Sequence, residues 1–81
     1  MTKYVYDVHA VRRIVQRRVP IDAIEQIARF GVTIQASKHH VMKRGEIAGK
    51  PVHVVINLPC TIKTVYIANE WSVTVAHHKA N

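Results

Sequence analysis

Residues 9–24 read HAVRRIVQRRVPIDAI, and this stretch decides how the chain begins to fold. If residues 8–18 form a helix, which turns about 100° per residue, their apolar side chains lie on one side of it. That side comprises Val8, Val11, Ile14, Val15 and Val19. The opposite arc comprises His9, Arg12, Arg13, Gln16 and Arg17. With Asp7 as its N-cap, the pattern predicts a helix with buried valines and a basic outer face.

A second helix is predicted directly after the first, over residues 21–30. Pro20 suits the start of a helix but not its interior, so it separates the two elements. Gly31 is a natural C-terminal stop for the second helix. The side chains predicted to be buried on this helix are Ile24, Ile27 and Ala28. The chain is therefore expected to begin with a tightly connected helix pair.

From residue 32 the apolar spacing changes from helical to alternating, which predicts strands. The runs are VTIQA (32–36), HHVMKRGEI (39–47), VHVVINL (52–58), TIKTVYIA (61–68) and a last one that begins at Trp71. Their short connections favour antiparallel hairpins, because parallel neighbours need long crossovers. We therefore predict one α+β domain over residues 1–81, with two N-terminal helices on a four- to five-stranded antiparallel sheet. Strands are expected within residues 32–76 and a frayed tail over 77–81.

The charge of the chain favours a polyanionic partner. Twelve Lys and Arg residues against five Asp and Glu residues give a net charge of +7 and a pI near 10.1. This balance indicates nucleic acid first, an acidic protein second and an anionic membrane third. No apolar run approaches the length of a membrane span, and no signal-peptide pattern is present. The lone Cys60 favours a reducing compartment, so a cytoplasmic protein is expected.

The helix stretch has the form H-A-x-x-R-x-x-x-R-x-V, followed far downstream by Thr64-Val65-Tyr66. In this form the chain resembles the small bacterial family called domain of unknown function 4258 over about residues 7 to 68. Arg18 stands where that family usually has glycine at the turn between the helices. The resemblance implies a fold similar to the RelE, ParE and BrnT toxins, a group that contains metal-independent ribonucleases. It also makes an acidic antitoxin or immunity protein an expected partner.

RNA cleavage without a metal needs a base near the 2′-hydroxyl, an acid near the leaving 5′-oxygen, and cations around the phosphate. Imidazole exchanges protons near neutral pH, and guanidinium grips phosphate oxygens in a bidentate fork. With the resemblance included, the predicted catalytic residues are His9, Arg13, Arg17 and Tyr66. The predicted nucleic-acid contacts are Arg12, Lys43, Arg44 and Thr64.

Each of these assignments has an ordinary structural alternative. The arginines of the helix could form a merely solvated face, and Arg17 could anchor Asp22 or a carbonyl. Strand alternation sends Lys43 and Arg44 to opposite faces, so at most one of them shares a groove with the helix. Tyr66 could be a packing aromatic. A valine on each side of His53 makes a half-buried strand histidine the better interpretation.

Three functional hypotheses remain open at the level of sequence. The first is a toxin-like, RNA-directed protein that acts as a metal-independent endoribonuclease. The second is a non-catalytic nucleic-acid-binding module of the same fold, and the third is a toxin-like inhibitor of another protein. No metal or cofactor is expected, because neither metal-ligand spacing nor a glycine-rich phosphate loop is present. The exposed faces of the sheet also leave room for a homodimer.

Overall fold

Two helices pack on a five-stranded mixed sheet in the computed structural model, which describes residues 3–67. The elements are β1 (Val5–Tyr6), α1 (Val8–Arg17), α2 (Ile21–Phe30), β2 (Val32–Ala36), β3 (His40–Ile47), β4 (Lys50–Asn57) and β5 (Thr61–Ile67). The strand order in the sheet is β1-β5-β4-β3-β2. The predicted α+β class and the helix pair are confirmed. The strand predicted from Trp71 and the tail over 77–81 lie outside the described residues.

The prediction of a purely antiparallel sheet is wrong at one edge. Strands β2 to β5 form an antiparallel meander, as expected from their short connections. Strand β1, however, pairs in parallel with β5, with Val5 opposite Thr61 and Tyr6 opposite Ile62. The long crossover that a parallel pair requires is supplied by both helices and the other three strands, which lie between β1 and β5 in the chain. A strand of two residues is too short to show an alternating pattern.

The apolar side predicted for α1 is confirmed only in part, because Ile14 and the following Val19 are buried but the other three of its residues are not. Its buried residues are Ala10 and Ile14, four positions apart. Three of the four valines on the side predicted to be buried are instead exposed, with exposed fractions of 61% for Val8, 45% for Val11 and 69% for Val15. The small Ala10 side chain, which is completely buried, lets the helix backbone approach strand β5 closely. On an ideal helix Arg13 lies about 60° from Ala10, and it is the half-buried member of the basic arc, whereas His9, Arg12, Gln16 and Arg17 are exposed.

The turn between the helices has the left-handed geometry that a glycine would favour. Arg18 ends α1 with φ 52° and ψ 46°, and its N–H donates to the carbonyls of Ile14 and Val15. The next residue, Val19, is buried. The departure from the glycine of the resembled family therefore leaves the turn intact but places a non-glycine residue in a conformation that costs roughly 1 kcal/mol. The β3–β4 turn also has positive φ, at Ala48 and Gly49.

The hydrophobic core lies between the helices and one face of the sheet. Helix α2 buries Ile24, Ile27 and Ala28, as predicted. A Cβ on Gly45 would lie 2.5 Å from Cγ1 of Ile27. Because glycine has no side chain, α2 can pack closely against β3 at this position. The sheet contributes Val52, Val54, Ile56, Ile62 and Val65 to this core.

The N-terminal segment is fastened to α2 by polar and aromatic contacts. Tyr6 donates a hydrogen bond of 2.6 Å from its hydroxyl to Oε2 of Glu25. Burial, together with this bond to a carboxylate, raises the pKa of Tyr6 well above its ordinary value. The guanidinium of Arg29 lies 5.6 Å from the ring centre of Tyr4, within cation–π range. These contacts hold the start of the chain, and therefore the entry to α1, in place.

Candidate functional site

A groove of about 560 Å³ runs between α1 and β5. The pairing of β1 with β5 ends at Ile62, and the groove begins beyond that point. Its lining residues are His9, Arg12, Arg13, Gln16, Lys63, Thr64 and Tyr66. The structure thus brings together five of the residues that the sequence singled out, from two elements far apart in the chain.

His9 is held at the start of α1 by the residue that caps the helix. Oδ1 of Asp7 accepts a hydrogen bond of 2.9 Å from the backbone N–H of His9. The same oxygen lies 2.8 Å from Nδ1 of the His9 ring, at hydrogen-bond distance. Both bonds lower the pKa of Asp7, and the bond from the backbone N–H has the larger effect. The carboxylate is therefore ionised at neutral pH. An ionised carboxylate only accepts, hence Nδ1 must carry the proton. A neutral His9 ring therefore presents Nε2 as a proton acceptor, and the side chain is 74% exposed.

The groove is positively charged. Arg12 and Lys63 are exposed and Arg13 is half-buried, so the three cations border one open volume. Among the described residues, no carboxylate lines the groove, although Asp7 lies behind His9. Cations that share a concave surface raise the local concentration of an anion. The groove is therefore suited to a phosphate-containing ligand.

Lys63 belongs to the groove although sequence reasoning did not select it. In a regular strand, Lys63 and Thr64 would project to opposite faces of the sheet. The register of β4 and β5 shifts, however, because Val55 pairs with Thr64 while the next residue, Ile56, pairs with Ile62. Lys63 is therefore the extra residue of a bulge, a feature that re-aims side chains. The sequence shows only that Lys63 lies in the same run, IKTVYI, as Thr64 and Tyr66. The bulge that turns Lys63 towards the groove is not visible in the sequence.

Arg17, predicted as a catalytic residue, does not line this groove. It borders a second groove of about 470 Å³ at the turn between the helices, together with Arg18 and Lys50. On an ideal helix Arg17 follows Arg13 by slightly more than one turn, which carries it along the axis to the far end of α1. The structure therefore separates Arg17 from His9 rather than uniting them.

Lys43 and Arg44 also lie away from the groove, on opposite faces of β3 as alternation predicted. Lys43 pairs with Val54 on the side of the helices. Arg44 pairs with His53, which in turn pairs with Tyr66. Arg44 thus shares a sheet face with Tyr66 but is two strands away, a distance of about 10 Å.

His53 is a buried strand residue, which confirms the structural interpretation of its sequence setting. It is only 8% exposed. Burial, with a smaller contribution from the Arg44 cation, lowers the pKa of His53. The ring is therefore neutral at physiological pH. It lies in the same cross-strand row as the groove residue Tyr66.

Within residues 3–67, no group of three or more histidine, cysteine, aspartate or glutamate side chains is arranged to hold a metal ion. The same residues contain no helix that is long and apolar enough to cross a membrane. No protein-family profile matches the chain, and no curated protein or solved structure is significantly similar to it.

Proposed function

We propose that this protein binds RNA in the groove between α1 and β5 and cleaves it without a metal ion, as a toxin-like cytoplasmic endoribonuclease. The observation that carries the proposal is the Asp7–His9 pair at the mouth of a groove with three cations and a phenol. The resemblance of the helix motif and of Thr64-Val65-Tyr66 to the domain of unknown function 4258 family supports the same proposal.

His9 is the proposed proton acceptor. In the reaction, Nε2 of His9 takes the proton of a ribose 2′-hydroxyl, and the 2′-oxygen attacks the adjacent phosphorus. The bond from phosphorus to the 5′-oxygen breaks, and a general acid protonates that oxygen. The products are a 2′,3′-cyclic phosphate and a free 5′-hydroxyl. Asp7 stabilises the imidazolium that forms and keeps the ring in the required tautomer.

The cations and the phenol complete the proposed site. Arg12, Arg13 and Lys63 stabilise the additional negative charge that develops on the phosphate oxygens. Two hydroxyls belong to the groove, those of Thr64 and Tyr66. A phenol is a far stronger acid than an aliphatic alcohol, so we assign the role of general acid to Tyr66. Thr64 and Gln16 are neutral hydrogen-bonding groups suited to sugar or base edges.

The exposure of His9 favours one alternative, a nucleic-acid-binding module without catalysis. A ring that is 74% exposed remains surrounded by water, whereas strong proton-transfer groups usually act in enclosed sites. The cations of the groove would bind phosphates in either case, through the release of counterions. Binding alone therefore does not distinguish the two functions, and the products of incubation must be examined.

The deciding experiment is incubation of the purified protein with single-stranded RNA in excess metal chelator. We expect fragments that end in a 2′,3′-cyclic phosphate, and their loss in His9→Ala. His39→Ala is the matched control, because His39 is an exposed histidine outside the groove. Tight binding of RNA without cleavage, with or without divalent metal, would support the binding module instead. Equal loss of cleavage in both variants would place the chemistry elsewhere.

A further inference from the structure

The second groove, of about 470 Å³ at the turn between the helices, has no part in the proposed function. Its apolar lining is aliphatic and continuous with the core. Val19 and Val52 are buried, and Ile47 and Ile67 are half-buried and pack against the core. A concave site of this size that is mostly apolar, with a few polar groups, is the usual form of a small-molecule site. The groove therefore has the volume and the lining to hold the apolar part of a small molecule.

Three cations from different elements border this apolar lining. Arg17 is the last residue of α1, Arg18 follows it, and Lys50 is the first residue of β4. All three are exposed, and no aspartate or glutamate of residues 3–67 lines the groove. Cations grouped on a concave surface attract an anion, and a guanidinium binds a carboxylate or phosphate through two parallel hydrogen bonds. The charge of the groove therefore favours a ligand with an anionic head.

The second groove also collects the strained backbone of the fold. Within residues 3–67, the non-glycine residues with positive φ are Arg18 at 52° and Ala48 at 53°. Both line this groove, although they belong to different turns. Glycine adopts such a conformation without strain, as Gly49 does directly after Ala48. Strained residues cluster at ligand-binding sites, where they are part of the binding geometry. At position 18, the strained residue supplies a cation that glycine would not.

The lining of the second groove does not suit a nucleotide. The groove between α1 and β5 presents an imidazole, a phenol, an amide and a hydroxyl beside its cations. Among the described residues, the second groove has neither an aromatic ring on which a base could stack nor a neutral side chain that could bind a base edge. Its aliphatic side chains instead match an alkyl chain.

We propose that the second groove binds a small anion with an aliphatic tail, of the class of the medium-chain carboxylates. The tail lies against the aliphatic lining, and the anionic head binds Arg17, Arg18 and Lys50. This site goes beyond the proposed ribonuclease function and does not rest on it, because the two grooves share no lining residue.

The probe is decanoate, titrated into the full chain by calorimetry below the concentration at which it forms micelles. We expect a single binding site per chain. Decyltrimethylammonium, which has the same tail and a cationic head, should not bind, and neither should acetate, a carboxylate without the tail. Shortening the tail should weaken binding by about fourfold for each methylene removed, because each methylene buries apolar surface.

Arg18→Gly separates the loss of the site from the loss of the fold. The variant removes one cation and the backbone strain together, so we expect decanoate to bind about tenfold more weakly while the midpoint of thermal unfolding rises. Lys50→Gln should weaken binding by a similar factor without changing the turn between the helices. Lys38→Gln is the matched control, because it removes one positive charge at an exposed position outside both grooves, and it should leave binding unchanged.

The remaining outcomes distinguish this site from the proposed RNA groove and from a membrane surface. Failure of decanoate to bind, equal binding of the cationic amphiphile, or unchanged binding in Arg18→Gly and Lys50→Gln overturns the inference. Single-stranded RNA should leave the affinity for decanoate unchanged, and displacement of decanoate by RNA would make the groove part of the nucleic-acid surface instead. Binding to phosphatidylglycerol vesicles but not to monomeric decanoate would assign the groove to a bilayer and also overturn the inference. A chain that binds decanoate but does not cleave RNA overturns the proposed function alone.

Discussion

Asp7 performs two tasks through one oxygen atom: Oδ1 accepts from the backbone N–H of His9 at 2.9 Å and joins Nδ1 of its ring at 2.8 Å. The first bond satisfies a backbone donor that the helix itself leaves without an acceptor. The second fixes the tautomer of a histidine at the mouth of the cationic groove. The start of α1 and the orientation of the proposed base are therefore coupled in this pair.

Replacement of Asp7 with Asn should separate these tasks. Asparagine is an equally good N-cap, so α1 should persist at neutral pH. The neutral amide, however, does not stabilise an imidazolium, so RNA cleavage should fall, though by less than in His9→Ala. Circular dichroism and a cleavage assay measure the two effects. If cleavage in Asp7→Asn equals that of the wild type, Asp7 is only a cap.

The same carboxylate should make stability depend on acid. The pKa of Asp7 is lower in the folded chain than in the unfolded chain, where it is about 3.9. The stabilisation is therefore fully present above about pH 4 and is lost as the pH falls through the lower, folded value. Thermal unfolding from pH 7 to pH 2 should show a smaller acid-induced decrease in Asp7→Asn than in the wild type. Glu46→Gln, at an exposed position in β3, is the control and should retain the wild-type decrease.

Arg18→Gly should stabilise the protein. The left-handed conformation of Arg18 is strained for a side chain with a Cβ and unstrained for glycine. A gain of about 1 kcal/mol would raise the midpoint of thermal unfolding by roughly 4–8 °C in a domain of this size. Gln16→Gly, inside α1, is the matched control and should destabilise by about the same amount. A lower midpoint for Arg18→Gly would mean that contacts of the arginine outweigh the strain of its backbone.

The sequence predicted the elements of the fold better than the orientation of the first helix. Alternation and turn residues located β2 to β5 to within a few residues, because each strand carries its own local pattern. In α1, by contrast, apolar residues occur on two sides, and the three valines outweigh Ala10 and Ile14 in hydrophobicity. Which side is buried depends on how closely the backbone can approach β5, and only the small Ala10 permits that approach. The closeness of this approach depends on the side chains of both α1 and β5, so the sequence of the helix alone does not decide which side is buried.

Part of the candidate site was predictable and part was not. His9 and Arg13 stand four positions apart on one helix, so the sequence alone places them on one face. Tyr66 was selected through the resemblance, and its meeting with α1 depends on tertiary packing. Lys63 was missed because the bulge in β5 breaks the alternation that sequence analysis assumes. Arg17 shares the arc of His9 and Arg13 around the helix axis, but the rise along that axis carries it to the other end of α1, away from the groove.

The cations of the groove should account for the salt dependence of RNA binding. Each phosphate contact that is lost should reduce the slope of log affinity against log salt by about 0.7 for a single strand. We therefore expect a reduced slope for Arg12→Gln, Arg13→Gln and Lys63→Gln, measured by fluorescence anisotropy between low and physiological salt. Arg17→Gln and Lys43→Gln are matched controls outside the groove and should retain the wild-type slope. The opposite pattern would move the binding site to the second groove or to β3.

His9→Ala should reduce RNA cleavage by about 10²–10⁴-fold while the affinity for RNA remains nearly unchanged. The reason is that one imidazole adds little to the attraction between phosphates and a chain of net charge +7, whereas its loss removes the proposed proton acceptor. Cleavage is measured with saturating RNA and affinity with an RNA whose 2′-hydroxyls are methylated, which binds but is not cut. The midpoint of thermal unfolding provides the control for structure, because Asp7 still caps α1 through a backbone N–H in the variant. Loss of affinity with residual cleavage would make His9 a binding residue, and a midpoint well below that of the wild type would make it a structural one.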